Sequence, residues 1–428
     1  MAGAAVLGVH LITIDNQTVR VGTLTRDAAG ATSFVVDEAY LKTPDRPILS
    51  LSWFVPADDA ASQTRLANRG DKIGLYGFLP PWFSGLLPEG ALRDLVISEM
   101  GAGNHDHFDL IARLGADLPG AILVVPETDL PASIGPIRFE RVHGFRAPEP
   151  EGVVKFSLAG VQLKFTANAE GERLTVPGRE DDNRYILKLP SERFPRLPEA
   201  EMAAMTVARM AKVNTAHCRL ICTKNVEGIP EDFLKHGDTI LSVERFDRAE
   251  KGRRIHIEDA AQIVGAVGER KYTMANYESV LNTIKRFSTD WRIDIMEGFR
   301  RAVVDVLIGN GDNHLKNWSF IFPGPGEIRL SPAYDIVPTV LYVPKDTLAL
   351  PFAGTHSFDK VTFKRIARIA SYLGLDDSHV VNELRTLVKD AHATWPAVLS
   401  DILGEEWALR LIERFETLAL VKDAVASL

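Results

Sequence analysis

The sequence predicts an α+β fold with two lobes, in which a β-rich N-terminal half precedes a mostly helical C-terminal half. Short apolar runs alternate with turn signals over residues 7–55, and a strand–turn–strand pattern resumes at residue 152. From about residue 257 the apolar residues recur with helical periodicity, interrupted only around residues 318–356. A ligand is expected in the cleft between two such lobes.

Residues 1–125 are expected to form an added N-terminal subdomain, β-rich and then helical. Its first apolar run, at residues 4–14, leads into a turn signal, which predicts a first strand rather than a signal peptide. Residues 78–118 have helical patterning. Residues 126–150 contain five prolines, a composition typical of a connector or of edge strands.

Residues 151–247 are expected to form the nucleotide-binding part of the N-lobe, and residues 248–428 the helical C-lobe. The first of these segments contains four apolar runs typical of strands and one run with helical periodicity. The predicted strands are residues 153–158, 185–189, 216–223 and 239–246, and the predicted helix is residues 198–212.

The composition is that of a soluble globular protein, with 46% apolar and 25% charged residues in a chain of 428. The net charge of −8 argues against a surface that is basic overall. No run reaches the roughly 18 apolar residues of a membrane helix. The two cysteines, Cys218 and Cys222, lie on one predicted strand without a second pair to complete a zinc site. We expect buried, reduced thiols and a cytoplasmic location.

The segment at residues 309–317, G-N-G-D-N-H-L-K-N, carries the chemistry that the sequence indicates most clearly. Phosphoryl transfer uses a carboxylate to accept the substrate hydroxyl proton, and an amide oxygen and a second carboxylate to hold Mg²⁺. Asp312, Asn317 and Asp335 supply these groups in that chain order. The same composition is also typical of a plain turn. A predicted helix ending at Gly309 and a predicted strand from residue 318 favour a site over a surface turn.

A lysine in an apolar strand supplies the cation that such a site needs. Lys188 lies in I-L-K-L-P, where an unpaired buried charge would be costly. Phosphate contact is one interpretation, and an edge lysine that reaches solvent is the other. Glu201, on the following predicted helix, is a candidate partner for Lys188, and Glu199 is an equal rival by position.

Two further segments fit a nucleotide site. Residues 157–164 join two strand-like runs, and their small residues would let backbone N–H groups approach phosphate. Residues 243–248 end a strand where the helical half begins. A hinge is expected there, with backbone groups available to adenine.

Seven short motifs follow one another along nearly the whole chain. They are L-L-P-E-G (86–90), D-L-I-A-R-L-G-A-D (109–117), S-L-A-G-V-Q-L-K (157–164), I-L-K-L-P (186–190), V-E-R-F-D-R (243–248), N-G-D-N-H-L-K-N (310–317) and A-Y-D-I-V (333–337). In this order they resemble one family, the HipA-type serine/threonine kinases of bacterial toxin–antitoxin systems. The ordered set is far more specific than any one motif.

The resemblance implies a bilobal, protein-kinase-like fold and a role for each matched residue. Asp312 would be the catalytic base, Asn317 and Asp335 the Mg²⁺ ligands, and Ser157 the autophosphorylation site. A phosphate on Ser157 would repel the phosphates of ATP and switch the enzyme off. The resemblance also implies which residues bind ATP. Ala159, Gly160, Val161, Gln162, Leu163 and Lys164 would form a phosphate-covering loop, and Lys188 would bind ATP. Glu244, Arg245 and Phe246 would contact adenine, and the rest of the pocket would be His314, Lys316, Asn317, Tyr334 and Asp335.

The resemblance also implies partners and cofactors. The enzyme would use ATP and Mg²⁺ to phosphorylate a cytosolic protein, an aminoacyl-tRNA synthetase in family terms, and so cause growth arrest and persistence. A small helix-turn-helix antitoxin would neutralise it and carry most of the contact with operator DNA. No membrane partner is implied.

Two other classes of function stay open on the sequence. A small-molecule phosphotransferase of the antibiotic-kinase type shares the D-x4-N…D pattern. A catalytically weak scaffold could serve as a co-repressor with a DNA-binding antitoxin. The intact Lys188, Asp312, Asn317 and Asp335 argue against the scaffold.

Overall fold

The computed structural model describes residues 5–101, 103, 105–128, 164–170, 173–175, 183–229 and 231–426. Within them the strands form three sheets of five, six and three strands. The helices gather mainly in the C-terminal half, so the predicted α+β fold with a helical C-lobe is confirmed. In the part of the chain described here, no helix combines the length and the apolar composition needed to cross a membrane.

The N-terminal subdomain is an antiparallel sheet packed against short helices. Its strands are β1 (Ala5–Ile12), β2 (Thr18–Arg26), β3 (Thr32–Val36), β4 (Ile73–Gly74) and β5 (Ile122–Pro126), in the spatial order β4-β3-β2-β1-β5. Its helices are α1 (Glu38–Lys42), α2 (Asp59–Ala67), α3 (Pro81–Ser84), α4 (Gly90–Glu99) and α5 (His107–Leu114). Alternate residues of β1, among them Leu7 and Val9, are buried in one cluster with Phe34, Trp82 and Phe83, which gives this subdomain its own core.

The segment predicted to be the nucleotide-binding part contains a six-stranded sheet and one long helix, α6 (Leu197–Met210). The strands are β6 (Lys164–Glu170), β7 (Arg173–Thr175), β8 (Tyr185–Lys188), β9 (Cys218–Cys222), β10 (Val226–Glu227) and β11 (Thr239–Glu244), in the order β10-β7-β6-β8-β11-β9. Strand β8 is central and pairs antiparallel with β6 and β11. Its last residue, Lys188, is therefore held from both sides.

The C-lobe is helical around a small sheet of β12 (His256–Asp259), β13 (Ser319–Gly324) and β14 (Glu327–Leu330). The helices are α7 (Ala260–Val264), α8 (Tyr277–Phe287), α9 (Trp291–Ile308), α10 (Phe363–Tyr372), α11 (Asp377–Leu403), α12 (Glu405–Thr417) and α13 (Ala419–Val425). Helix α9 is buried along most of its length, and its apolar side chains belong to the largest core. The segment at residues 309–317, which the sequence predicts to be a catalytic loop, begins where α9 ends.

The N-terminal subdomain is joined to the rest by buried polar contacts. Glu258, on β12, accepts hydrogen bonds from the Ser50 hydroxyl, from the Leu51 backbone at 2.7 Å and from the Trp82 indole at 2.7 Å. Leu51 itself belongs to the core of the helical lobe. The subdomain is thus part of one continuous packed structure.

A second junction is a buried cluster of ion pairs. Asp117 contacts the guanidinium groups of Arg245 and Arg248, and both arginines also pair with Asp247. Charges removed from water are retained only when paired in this way. The D-L-I-A-R-L-G-A-D and V-E-R-F-D-R motifs therefore meet in space.

One expectation about the cysteines was wrong. Cys218 is buried, but Cys222 is exposed. Strand β9 is the edge strand of the six-stranded sheet, and Cys222 is its last residue before the chain turns into the 3₁₀ segment Thr223–Asn225, so this side chain lies at a corner of the sheet that is open to solvent.

Candidate active site

The predicted catalytic loop starts at a defined helix end. Gly309 follows α9 in the left-handed conformation, with φ +76°, and its N–H bonds to the carbonyl oxygen of Asp305. A side chain at this position would lie 2.5 Å from a methyl group of Val340. Only glycine meets both conditions, so the first residue of the motif fixes the direction in which the loop leaves the helix.

The buried carboxyl group of Asp305, on the last turn of α9, holds the loop by hydrogen bonds. Asp305 accepts hydrogen bonds from the side-chain amides of Asn310, at 2.8 Å, and Asn313, and from the hydroxyl of Tyr277, at 3.0 Å. Burial raises the pKa of Asp305 to about 7, against the opposing effect of these donors. The two asparagines that suggested a plain turn are thus held in the protein interior.

Asp312, the predicted base, is itself buried and oriented by its neighbours. The hydroxyl of Tyr272 donates to Oδ1 of Asp312 at 2.8 Å. The backbone carbonyl of Asp312 accepts from the His314 N–H, at 2.8 Å, and from Nδ2 of Asn317, at 3.0 Å. The amide nitrogen of Asn317 therefore shapes the loop, while its side-chain oxygen accepts no hydrogen bond recorded from another described residue.

His314 lies inside the site as a neutral imidazole. Burial is the main cause that lowers the pKa of His314 to about 3, and the charge of Lys271 lowers it further. The ring meets Tyr272 edge-on, with centroids 5.1 Å apart. Neither ring nitrogen has a hydrogen-bond partner among the described residues. Most buried polar side-chain atoms in folded proteins have a hydrogen-bond partner, and a ligand could supply the missing one here.

Lys188 and Asp335 form the other side of the site. The ammonium of Lys188 bonds to carboxylate oxygens of Glu201 and Asp335, and Lys164 adds a third ion pair with Asp335 at 3.3 Å. Burial alone would lower the pKa of Lys188, but Asp335 and Glu201 raise it above its usual value. Lys188 is thus a charged, fixed cation. The rival Glu199 instead accepts from the Thr239 hydroxyl.

Asp335 is held in an unusual backbone conformation. Its φ is +58°, in the left-handed region that residues with a Cβ seldom adopt. Burial would raise the pKa of its carboxyl, but Lys164 and Lys188 hold that pKa well below the usual range. The residue before it, Tyr334, donates to the carbonyl of Lys316 at 2.7 Å and so ties this segment to the catalytic loop.

Part of the predicted hinge is already hydrogen-bonded within the protein. The N–H groups of Glu244 and Arg245 donate to backbone carbonyls, at 2.7 and 2.8 Å, so these two donors are already used. The Glu244 carboxylate pairs with Arg184. Phe246 lies against Tyr334, with ring centroids 5.5 Å apart, and borders the site. An adenine contact through this segment stays a prediction.

Six predicted positions lie outside the described residues. They are Ser157, Ala159, Gly160, Val161, Gln162 and Leu163. Of the phosphate-covering loop, the structure describes only its last member, Lys164, the first residue of β6.

The side chains fit a magnesium ion shared with phosphates. Mg²⁺ usually takes one or two protein oxygens and completes its shell with water and substrate phosphate. Asp335 and Asn317 supply one carboxylate and one amide oxygen, which matches that set. The described residues contain no group of three or more histidine, cysteine or acidic side chains placed for a metal. With Mg-ATP bound, Asp312 would accept the proton of a substrate hydroxyl and Lys188 would hold phosphate oxygens.

Three contributors to the site were missed in the sequence. Tyr272 and Lys271 come from the 3₁₀ segment Gly268–Tyr272, and Glu89 from the N-terminal subdomain. Only Glu89 lies within one of the motifs, and no local pattern relates any of the three to Asp312.

The fold and this arrangement together define a class, the two-lobed α+β proteins built like protein kinases. Comparison with family models is more specific. A model described as the HipA-like C-terminal domain matches residues 156–395, and one described as the HipA N-terminal domain matches residues 12–125. The chain belongs to the HipA family.

Individual relatives agree with that assignment. A protein of Sinorhizobium fredii provisionally named as a kinase is 36% identical over 88% of this chain and 89% of its own length. The serine/threonine-protein kinase toxin HipA of Shewanella oneidensis is 25% identical over 74% of this chain and 77% of its own. A chain in the structure of the Shewanella oneidensis HipA, HipB and operator DNA complex has the same fold, with a TM-score of 0.72 and 21% identity. The match covers 99% of this chain and 99% of that one.

Proposed function

We propose that this chain is an ATP- and Mg²⁺-dependent serine/threonine protein kinase and the toxin of a toxin–antitoxin pair. The observation that carries the proposal is the arrangement of Lys188, Glu201 and Asp335 on one side and Asp312 with Asn317 on the other. A fixed cation, two oxygen ligands for a metal and an oriented base are the groups that phosphoryl transfer requires. In this proposal Ser157 is the chain's own acceptor, and its phosphorylation switches the enzyme off.

Intact-mass analysis tests the kinase activity. Phosphatase-treated protein is incubated with Mg-ATP beside Asp312→Ala and Ser157→Ala. The wild type should gain one phosphate, and both variants should gain none. A wild type that stays unmodified would refute autophosphorylation and favour a small-molecule phosphotransferase or a weak scaffold.

The toxin role concerns a cytosolic translation component, an aminoacyl-tRNA synthetase, and a HipB-like helix-turn-helix antitoxin that carries most of the operator contact. The relative solved with HipB and operator DNA supports such a partner. Induced expression should arrest growth for the wild type and not for Asp312→Ala, and co-expression of the antitoxin should restore growth. Equal arrest by Asp312→Ala would show that toxicity does not require phosphate transfer.

A further inference from the structure

Glu89 is a residue of the N-terminal subdomain whose side chain contacts the C-lobe. It occupies the N-cap position of α4, where a polar side chain commonly accepts hydrogen bonds from the first helical turn, yet its side chain makes no cap hydrogen bond. Its two oxygens bond instead to the amines of Lys271, at 2.5 Å, and Lys316, at 3.1 Å. Those contacts span 182 and 227 residues of sequence, so the tertiary fold alone creates them.

The two lysines stand next to the groups that orient the predicted base. Lys271 precedes Tyr272, whose hydroxyl bonds to Asp312. Lys316 precedes Asn317, whose side-chain amide bonds to the carbonyl of Asp312. One carboxylate therefore fixes both segments that touch Asp312.

The charges of this trio are balanced in a confined space. Lys271 has a side chain only 5% exposed, and Lys316 only 19%. Two ammonium groups on one carboxylate are close enough to repel each other strongly if that carboxylate is removed. Burial would raise the pKa of Glu89, but Lys316 and Lys271 lower it to about 2, so the carboxylate is charged at neutral pH.

We propose that Glu89 is a positioning residue of the phosphotransfer site, which holds Lys316 and Lys271 in place beside the catalytic loop. This inference rests on the proposed function and adds the N-terminal subdomain to the active site. The bonds from Ser50, Leu51 and Trp82 to Glu258 fix that subdomain against β12, so Glu89 reaches the lysines from a rigid support. Without Glu89, the two ammonium groups would repel each other, and Lys316 would lose its fixed position beside the predicted catalytic loop.

The test compares Glu89→Gln with the wild type in phosphate transfer and in calorimetric binding of Mg-ATP and of adenosine. We expect kcat to fall at least about tenfold, because orientation is lost. The Kd for Mg-ATP should fall about threefold, because one negative charge has left the triphosphate site, while the adenosine affinity stays the same. Glu38→Gln is the matched control, since Glu38 is an exposed glutamate of the same subdomain, and it should change neither quantity.

Two further variants separate charge from placement. Glu89→Asp keeps the charge but shortens the reach, so it should lower kcat and leave the Kd for Mg-ATP unchanged. Glu89→Gln with Lys271→Gln restores the net charge of the trio and should return the Kd for Mg-ATP to the wild-type value. Both variants remain informative if Glu89→Gln alone folds poorly.

The outcomes decide the inference separately from the kinase activity. Wild-type kcat in Glu89→Gln would overturn it, and so would a parallel loss of ATP and adenosine affinity with a lower melting temperature, which is what a merely structural role gives. If the wild type binds ATP but transfers no phosphate, the proposed function fails. The Kd for Mg-ATP then tests whether Glu89 holds Lys316 and Lys271 in place, and an unchanged Kd in Glu89→Gln refutes that role. If the wild type binds no ATP, both fail.

Discussion

The amine of Lys188 is buried between the carboxylates of Glu201 and Asp335, and Lys164 also pairs with Asp335. Two lysines facing two acids balance the charge of this group in the interior. A buried ion pair of this kind adds little net stability, but the loss of one partner is costly. The arrangement is therefore kept for the position of its charges.

Replacing Lys188 with methionine should destabilise the protein and weaken ATP binding. We expect a loss on the order of 3 kcal/mol, because two buried carboxylates lose their shared cation. Lys188→Met combined with Glu201→Gln should recover part of it. Urea unfolding and ATP calorimetry measure both effects. Lys42→Met, which removes an exposed pair with Glu38, is the control and should show no measurable loss. A fully stable Lys188→Met would contradict the buried network.

Among single residues, the sequence singled out Lys188 as a candidate site residue, because a charge inside an apolar strand is costly unless it has a partner. It left Glu199 and Glu201 as equal rivals, because both lie on the first turns of one helix. Their assignment depends on how α6 rotates against β8 and β11, which is a matter of packing. Tyr272 was missed because its contact with Asp312 spans 40 residues and has no local signature.

Among the elements, α9 and the loop that follows it determine the site most directly. The helix supplies Asp305, whose side chain binds two loop asparagines, and ends at Gly309. The apolar periodicity before Gly309 predicted the helix and its end, because both signals are local. The burial of the loop was not predictable in detail, since it depends on Val340 and on Asp346, which faces Gly311.

Gly309→Ala should cost more than a matched glycine substitution elsewhere. Gly326, in the turn between β13 and β14, also has a positive φ, +68°, but a methyl group added there would meet no described atom within 4 Å. Gly326→Ala should cost about 1 kcal/mol from backbone strain alone. Gly309→Ala adds the clash with Val340, so it should be less stable still and should transfer phosphate more slowly. Equal melting temperatures for the two variants would show that the loop is not held at Gly309.

The whole molecule is organised around the junction of the N-terminal subdomain with the kinase-like lobes. Glu258 and the Asp117 cluster are among its polar contacts, and Glu89 extends it to the predicted catalytic loop. Fold class and the division into β-rich and helical halves followed from periodicity along the chain. The junction did not, because hydrogen bonds such as that between Trp82 and Glu258 join residues 176 positions apart.

The junction should give stability a dependence on pH. Burial raises the pKa of Glu258 to about 7, so the folded protein retains a proton that the unfolded chain releases above its ordinary pKa of about 4.5. This contribution to stability is complete below pH 4.5 and is lost as the pH rises through 7. The free energy of unfolding of the wild type should therefore fall by on the order of 2 kcal/mol over that range, and that of Glu258→Gln should not show this fall. Urea midpoints at pH 5, 6, 7 and 8 measure it, and a constant difference between the two proteins would contradict a buried, protonated Glu258.

The most direct test of the central claim is γ-phosphate transfer from Mg-ATP by the wild type and Asp312→Asn, measured beside ATP binding. We expect both proteins to bind ATP equally and Asp312→Asn to transfer phosphate at least about a hundredfold more slowly, because the base is lost. Transfer by Asp312→Asn at the wild-type rate would contradict the role of Asp312. The absence of transfer by a wild type that binds ATP would contradict the kinase assignment itself.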